Sequence, residues 1–266
     1  APDSQPEAIG GYLPLSKVYS FNPVPDTLSA DKVQLVYGVQ ANLFTEYIPT
    51  PEHAEMMIYP RILALAEVAW SAPSVKNYDD FHVRALKEVE ALKAEGYHPF
   101  ELKNEIGNRP GADQPVQHLA VGKKVAYGPD AAYYPGYSAG GDSALVDGVI
   151  GGWTYGDRRW QGFIDKKRMD VTIDMEKETE IHSVGADFMQ VCGPEVFMPS
   201  EVIISVSNDG KEFTELKRME HKVVKDDKVT FINFGWEGNA KARYIRYQAS
   251  SGEFGGFLFT DEIVVK

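Results

Sequence analysis

Val33-Gln34-Leu35-Val36-Tyr37-Gly38-Val39 is the stretch on which the reading of the first half turns. It is β-branched and nearly continuous in apolar character, which suits a strand buried on both faces, as in a parallel sheet. Thr50-Pro51-Glu52 follows as a helix start. Thr serves as N-cap, Pro takes the first helical position, and an acid lies in the first turn. That helix runs to about Trp70, and Pro60 must kink or divide it. A second helix spans about Asn77 to Glu95, with Phe81, Ala85, Val89 and Leu92 as its apolar stripe and Gly96 at its stop. Asp79-Asp80 fits its first turn, where acids favour the positive end of the dipole. A buried strand followed by helices indicates an α/β barrel or a doubly wound sheet. One strand cannot build either, so the first half reads as part of a larger domain.

Beyond about residue 118 the periodicity changes to two. Val171, Ile173 and Met175 share one face, and Val202, Ile204 and Val206 share another. Asn208-Asp209-Gly210 between such runs is a hairpin-turn signal. Val229-Thr230-Phe231-Ile232, Tyr244-Ile245-Arg246-Tyr247 and Glu262-Ile263-Val264-Val265 add strands. Many short strands separated by turns predict an all-β sandwich or barrel. The intervening Lys103–Pro115 is polar and rich in Pro and Gly, as a linker is. The expected organisation is therefore 1–102 for a barrel portion, 103–117 for a linker and 118–266 for an independent sandwich.

Composition narrows the function. The 266 residues are 43% hydrophobic and 25% charged, as in globular proteins, and the formal net charge is −12. Such acidity argues against nucleic acid, whose phosphates need Lys and Arg, and against anionic membrane surfaces. No apolar run approaches the roughly 20 residues of a membrane helix, and no signal peptide opens the chain. Ala1-Pro2-Asp3-Ser4-Gln5-Pro6 reads as a cut edge or a loop. Cys192 is the single cysteine, which rules out intramolecular disulfides and a Cys-based zinc site. His53, His82, His98, His118, His182 and His221 are scattered, without metal-site spacing on one element.

Tyr37-Gly38-Val39-Gln40-Ala41-Asn42-Leu43-Phe44-Thr45-Glu46-Tyr47-Ile48, followed by Met57-Ile58-Tyr59-Pro60-Arg61 through Trp70-Ser71, resembles the end of the catalytic barrel of glycoside hydrolase family 20. Gly11-Tyr12-Leu13-Pro14-Leu15 through Pro25 resembles the loop before the eighth strand. The resemblance covers roughly residues 8 to 100 and implies a TIM-barrel remnant, its last strand and helices. In the family that strand ends in Trp-x-Glu. Trp walls the pocket for the terminal N-acetyl sugar, and Glu accepts hydrogen bonds from sugar hydroxyls. The matching positions are Phe44 and Glu46. Phe keeps an aromatic face but lacks the indole N–H. A carboxylate at Glu46 suits directional, charge-assisted sugar binding at the C-terminal end of a barrel strand.

The resemblance further implies an exo-acting β-N-acetylhexosaminidase that acts on glycans with terminal N-acetylhexosamine, in a periplasmic or extracellular setting. Its catalysis is substrate-assisted and needs no cofactor: the acetamido group is the nucleophile, an Asp orients it, and the adjacent Glu is general acid and then base. That Asp-Glu pair is expected upstream of residue 1, leaving no catalytic residue in this chain. Asp261-Glu262 lies in sandwich texture and is no substitute. A non-catalytic carbohydrate-binding or spacer module is the competing reading.

Asp147-Gly148 with Trp160 downstream, Val171-Thr172-Ile173-Asp174, Ser207 through Phe213, Tyr244-Ile245-Arg246 and Asp261-Glu262-Ile263 occur in the order found in discoidin, or coagulation factor 5/8 type C, domains. These include family 32 carbohydrate-binding modules. The resemblance implies a galactose-binding-like jelly-roll sandwich over 118–266. Many members hold one structural Ca2+, and Asp147 and Glu262 match its side-chain ligands. Calcium takes 6–8 hard oxygens, so backbone carbonyls must complete such a shell. The alternative is a turn Asp capping its own backbone and an edge Glu in solvent. Sugar binding in such modules comes from loop aromatics, for which Trp153, Tyr155 and Phe254 are the candidates. Trp160 is assigned to the core.

Overall fold

The computed structural model describes residues 12–129, 131, 133–164, 169–226 and 228–266. The opening Ala1–Pro6 stretch and Gly11 lie outside the described residues. The chain forms two compact units divided between Gly107 and Asn108.

The first unit is helical among its described residues: α1 Leu15–Tyr19, α2 Pro51–Ile58, α3 Arg61–Trp70 and α4 Tyr78–Ala94. The caps behave as their residue types require. Thr50 Oγ1 accepts from the His53 N–H at 3.2 Å, and Asn77 Oδ1 accepts from the Asp80 N–H at 3.2 Å. The helix expected from Thr50 to Trp70 is divided at Pro60. Phe81, Ala85 and Val89 of α4 are buried with Leu15, Tyr19, Ala64 and Leu102. Leu92 is only half-buried. Tyr19 stacks on Phe81 at 4.7 Å and donates its hydroxyl to Glu67 at 2.9 Å.

The strand expected over Val33–Val39 is not formed. Ala30–Leu35 is a 3-10 turn and the following residues are irregular. Leu35 is 61% exposed and Tyr37 93% exposed. A buried parallel strand needs neighbouring strands to accept and donate its backbone hydrogen bonds. The described residues of this unit contain no other strand. The barrel remnant thus keeps its helices while its last strand lacks a sheet to join.

Among the described residues the second unit is an antiparallel β-sandwich of seven strands: β1 Lys124–Tyr127, β2 Gln161–Ile164, β3 Met169–Gln190, β4 Glu201–Ser207, β5 Thr214–Glu220, β6 Thr230–Ser250 and β7 Phe257–Val265. The order is β2-β7-β3-β6-β4-β5, with β1 on β3. β3 pairs along nearly its whole length with β6. On its other edge its first third pairs with β1 and its last third with β7. Val171, Ile173 and Met175 from that first third are buried in the same core as Val184, Ala186 and Phe188 from the last, together with Val202 and Ile204 of β4. Asp209 Oδ1 accepts from the N–H groups of Lys211 and Glu212 at 2.8 and 3.0 Å, closing the expected turn after β4.

Residues 108–117, the last two thirds of the expected linker, are part of this unit. The Val116 N–H donates to Gly148 O at 2.8 Å, and Arg109 is 5% exposed.

Candidate functional site

The site begins with an irregularity in β7. Ala186 pairs with Ile263 and Phe188 with Thr260, so Asp261 and Glu262 together oppose the single residue Asp187. This bulge re-aims adjacent side chains that strict alternation would send to opposite faces. Both carboxylates are about 1% exposed. Buried charges need partners, and each finds a different set.

Glu262 Oε1 lies 2.7 Å from His118 Nε2 and accepts from the Gly148 N–H at 2.9 Å. Gly148 has φ of +80°, and a Cβ there would stand 2.8 Å from Val116 O, so glycine is required for this N–H to reach the carboxylate. Glu262 Oε2 is buried with no hydrogen-bond partner. Asp147 follows a short 3-10 turn, Ala144–Val146, and its Oδ1 accepts from the Val149 N–H at 2.8 Å. Burial pushes the Glu262 carboxyl above its usual range; His118 and the Gly148 N–H oppose the shift, and the charge of Asp147 adds to it. Burial also raises Asp147, against the Val149 N–H that donates to it. Glu262 is buried and Asp147 exposed; like charges within reach of each other favour a proton or a cation between them.

That arrangement fits a hard cation, which Asp147 and the orphaned Glu262 oxygen would hold. Among the described residues no group of three or more His, Cys, Asp or Glu side chains converges. Backbone carbonyls would have to supply most of the shell, as calcium accepts.

Asp261 is bound to Arg109. Arg109 Nη1 donates to Asp261 Oδ2 at 2.7 Å and to Gly151 O at 2.8 Å, and Nη2 donates to Asp187. The guanidinium lies against both Trp160 and Phe231, 4.9 and 4.7 Å from their ring centroids. Burial lifts the Asp261 carboxyl to about 6, against the pull of Arg109. Trp160 is 1% exposed, the expected core position. Arg109, His118 and Asp187 did not stand out in the sequence. His118 and Glu262 are 144 residues apart, and Arg109 and Asp187 are separated by 78, so no local spacing marks either pairing.

The loop aromatics do not converge. Tyr155 stacks on Phe259 at 4.9 Å, and Trp153 lies edge-on to Phe231 at 5.7 Å. Both are half-buried. Phe254 belongs to a different group: it lies 5.5 Å from Phe197, with the Lys225 ammonium 4.3 Å from its ring. In the first unit Phe44 is 67% exposed, and Glu46 sits in an exposed turn.

Comparison with known proteins agrees with this division. Residues 1–73 match the model of the glycosyl hydrolase family 20 catalytic domain, and residues 130–263 match that of the F5/8 type C domain. A β-hexosaminidase of Porphyromonas gingivalis is 49% identical over 80 residues, which is 30% of this chain and 10% of that protein. A β-N-acetylhexosaminidase of Cellulomonas fimi is 34% identical over 79 residues, 30% of this chain and 16% of that protein. The chain thus spans only a small part of the curated relatives it matches. Among solved structures, a family 32 carbohydrate-binding module of Clostridium perfringens, in complex with GalNAc-β-1,3-galactose, is 18% identical. It covers 56% of this chain and 99% of its own, with a TM-score of 0.38. No helix among the described residues is long and apolar enough to cross a membrane.

Proposed function

Since the chain belongs to the F5/8 type C domain family through residues 130–263 and carries a family 20 catalytic-domain segment in residues 1–73, we propose that it is the C-terminal part of an exo-acting β-N-acetylhexosaminidase. The observation that carries this reading is the order of the two matches along one chain. The whole enzyme would remove terminal β-linked N-acetylglucosamine or N-acetylgalactosamine, with the substrate's acetamido group as nucleophile. Its Asp-Glu pair would be supplied from outside this chain. Glu46 and Phe44 would enter the sugar pocket only when the remaining strands pair with the Val33–Val39 stretch.

The sandwich would hold the enzyme on glycan in a secreted or periplasmic setting. A structural Ca2+ held by Asp147 and Glu262 would tie the loop after Val146 to the last strand. The orphaned Glu262 oxygen supports this assignment. No role for the ion in hydrolysis follows from its place in the second unit.

The test is turnover of an aryl β-N-acetylglucosaminide. This chain alone gives none above background, because no acid is positioned at the glycosidic oxygen, whereas the chain extended upstream through the whole barrel hydrolyses it. Turnover by the isolated chain after removal of contaminating enzyme, or none by the extended one, would sink the proposal.

A further inference from the structure

The second unit carries a groove of about 570 Å³ on the solvent side of β3 and β6. Its floor is a cross-strand glycine pair, Gly185 opposite Gly235, with Val264 on the other side of Gly185. Glycine within strands is unfavourable, and it commonly marks a place where another group approaches closely. Neither glycine has the positive φ that would demand it. Sterics do: a Cβ on either would lie 2.9 Å from Asn233 Oδ1. The glycines therefore leave room for the Asn233 side chain to lie across the sheet. Asn233 Nδ2 donates to Asp187 Oδ1 at 2.7 Å, and Asp187 is itself bound by the buried Arg109. On the facing side Lys217 donates its ammonium to Gly235 O at 2.8 Å.

This line of polar groups is fixed before any ligand arrives, which lowers the entropy cost of binding. It also has bonding capacity left. A carboxylate has about four acceptor positions, an ammonium three donors and an amide both kinds. Asp187 is still 31% exposed at its side chain, and Asn233 is exposed. Charges of both signs line the groove: Asp187 and Glu237 stand against Lys217 and Lys266, while the buried Asp261 and Glu262, also in its lining, are engaged by Arg109 and His118. Such a lining selects neither an anion nor a cation. It suits a neutral ligand whose groups donate and accept in turn, and the volume is that of small-molecule sites.

We infer that this groove is a saccharide-binding site, with Asp187, Asn233 and Lys217 reading the sugar hydroxyls. The inference rests on the reading of the sandwich as a glycan-binding unit and moves its site from the loops to the sheet. The loop aromatics are otherwise engaged, Tyr155 against Phe259 and Phe254 beneath Lys225.

The experiment is calorimetric titration of the 266-residue chain with N,N′-diacetylchitobiose and, separately, with N-acetylgalactosamine. Asn233→Ala and Lys217→Met, each removing one exposed hydrogen-bonding group, are expected to weaken binding about tenfold. Trp153→Phe and Phe254→Ala leave it within about threefold, a loss well under 1 kcal/mol. Matching thermal melts exclude misfolding. If the loop variants lose binding and both groove variants keep it, the groove assignment is wrong while the glycan reading stands. If the wild-type chain binds neither sugar, the glycan reading fails and the groove assignment falls with it.

Discussion

Arg109 and Asp261, 152 residues apart in sequence, meet at 2.7 Å in the interior of the sandwich unit. Arg109 comes from a stretch that reads as linker, and Asp261 from the bulge of the last strand. The pair joins the start of the unit to its end, and the aromatic rings of Trp160 and Phe231 keep it from water.

Removing one member of such a pair leaves the other charge buried alone. Arg109→Ala should cost about 3–5 kcal/mol of sandwich stability. Arg109→Ala combined with Asp261→Asn should recover part of that loss. A chain beginning at residue 108 should melt well above one beginning at 118. Equal urea midpoints for the two truncations would show that Arg109 does not contribute.

The Asp261 carboxyl also makes a pH prediction. Its pKa is lifted to about 6 in the folded state from 3.8. Between those values the folded chain binds more protons than the unfolded chain, so this group's contribution to stability grows as pH falls through about 6 and is lost as pH rises. The difference in unfolding free energy between wild type and Asp261→Asn should shift in favour of wild type from pH 7 to pH 4, by about 3 kcal/mol at most. Urea unfolding of both proteins across that range measures it. A difference that stays flat, or moves the other way, would remove Asp261 as a titrating group.

The calcium assignment predicts a linked stability. A ligand that binds only the folded state at ~100 times its Kd adds about 2.7 kcal/mol. Chelation should therefore lower the melting temperature of the sandwich, and added calcium should restore it. Asp147→Ala and Glu262→Gln should each abolish the response. Superimposed wild-type melts, with metal shown absent after chelation, would return Asp147 to the role of a turn residue.

Glu46 can be tested only in a complete barrel. There, Glu46→Gln should reduce kcat/KM by about 1–3 kcal/mol of transition-state binding, the cost of weakening a charge-assisted bond to a sugar hydroxyl. Unchanged kcat and KM would place Glu46 outside the pocket.

What the sequence determined by itself is what depends on near neighbours. Thr50 and Asn77 cap helices because their oxygens reach N–H groups three residues on. Pro60 divides a helix because its ring and missing N–H act locally. Val171, Ile173 and Met175 face one core because a strand alternates by two. The two family segments were legible for a related reason: each is carried by short runs of residues in a fixed order. Tertiary structure decided everything that needs a distant partner. Val33–Val39 has the composition of a buried strand, yet without neighbouring strands to bond its backbone it forms none. Tyr155 became a packed ring once Phe259 lay beneath it. Arg109 and His118 read as a linker arginine and a stray histidine until a bulge at Asp261 and Glu262 turned two buried carboxylates toward them. A buried charge takes whichever opposite group the fold brings within reach, and that choice is not written in the spacing of either residue.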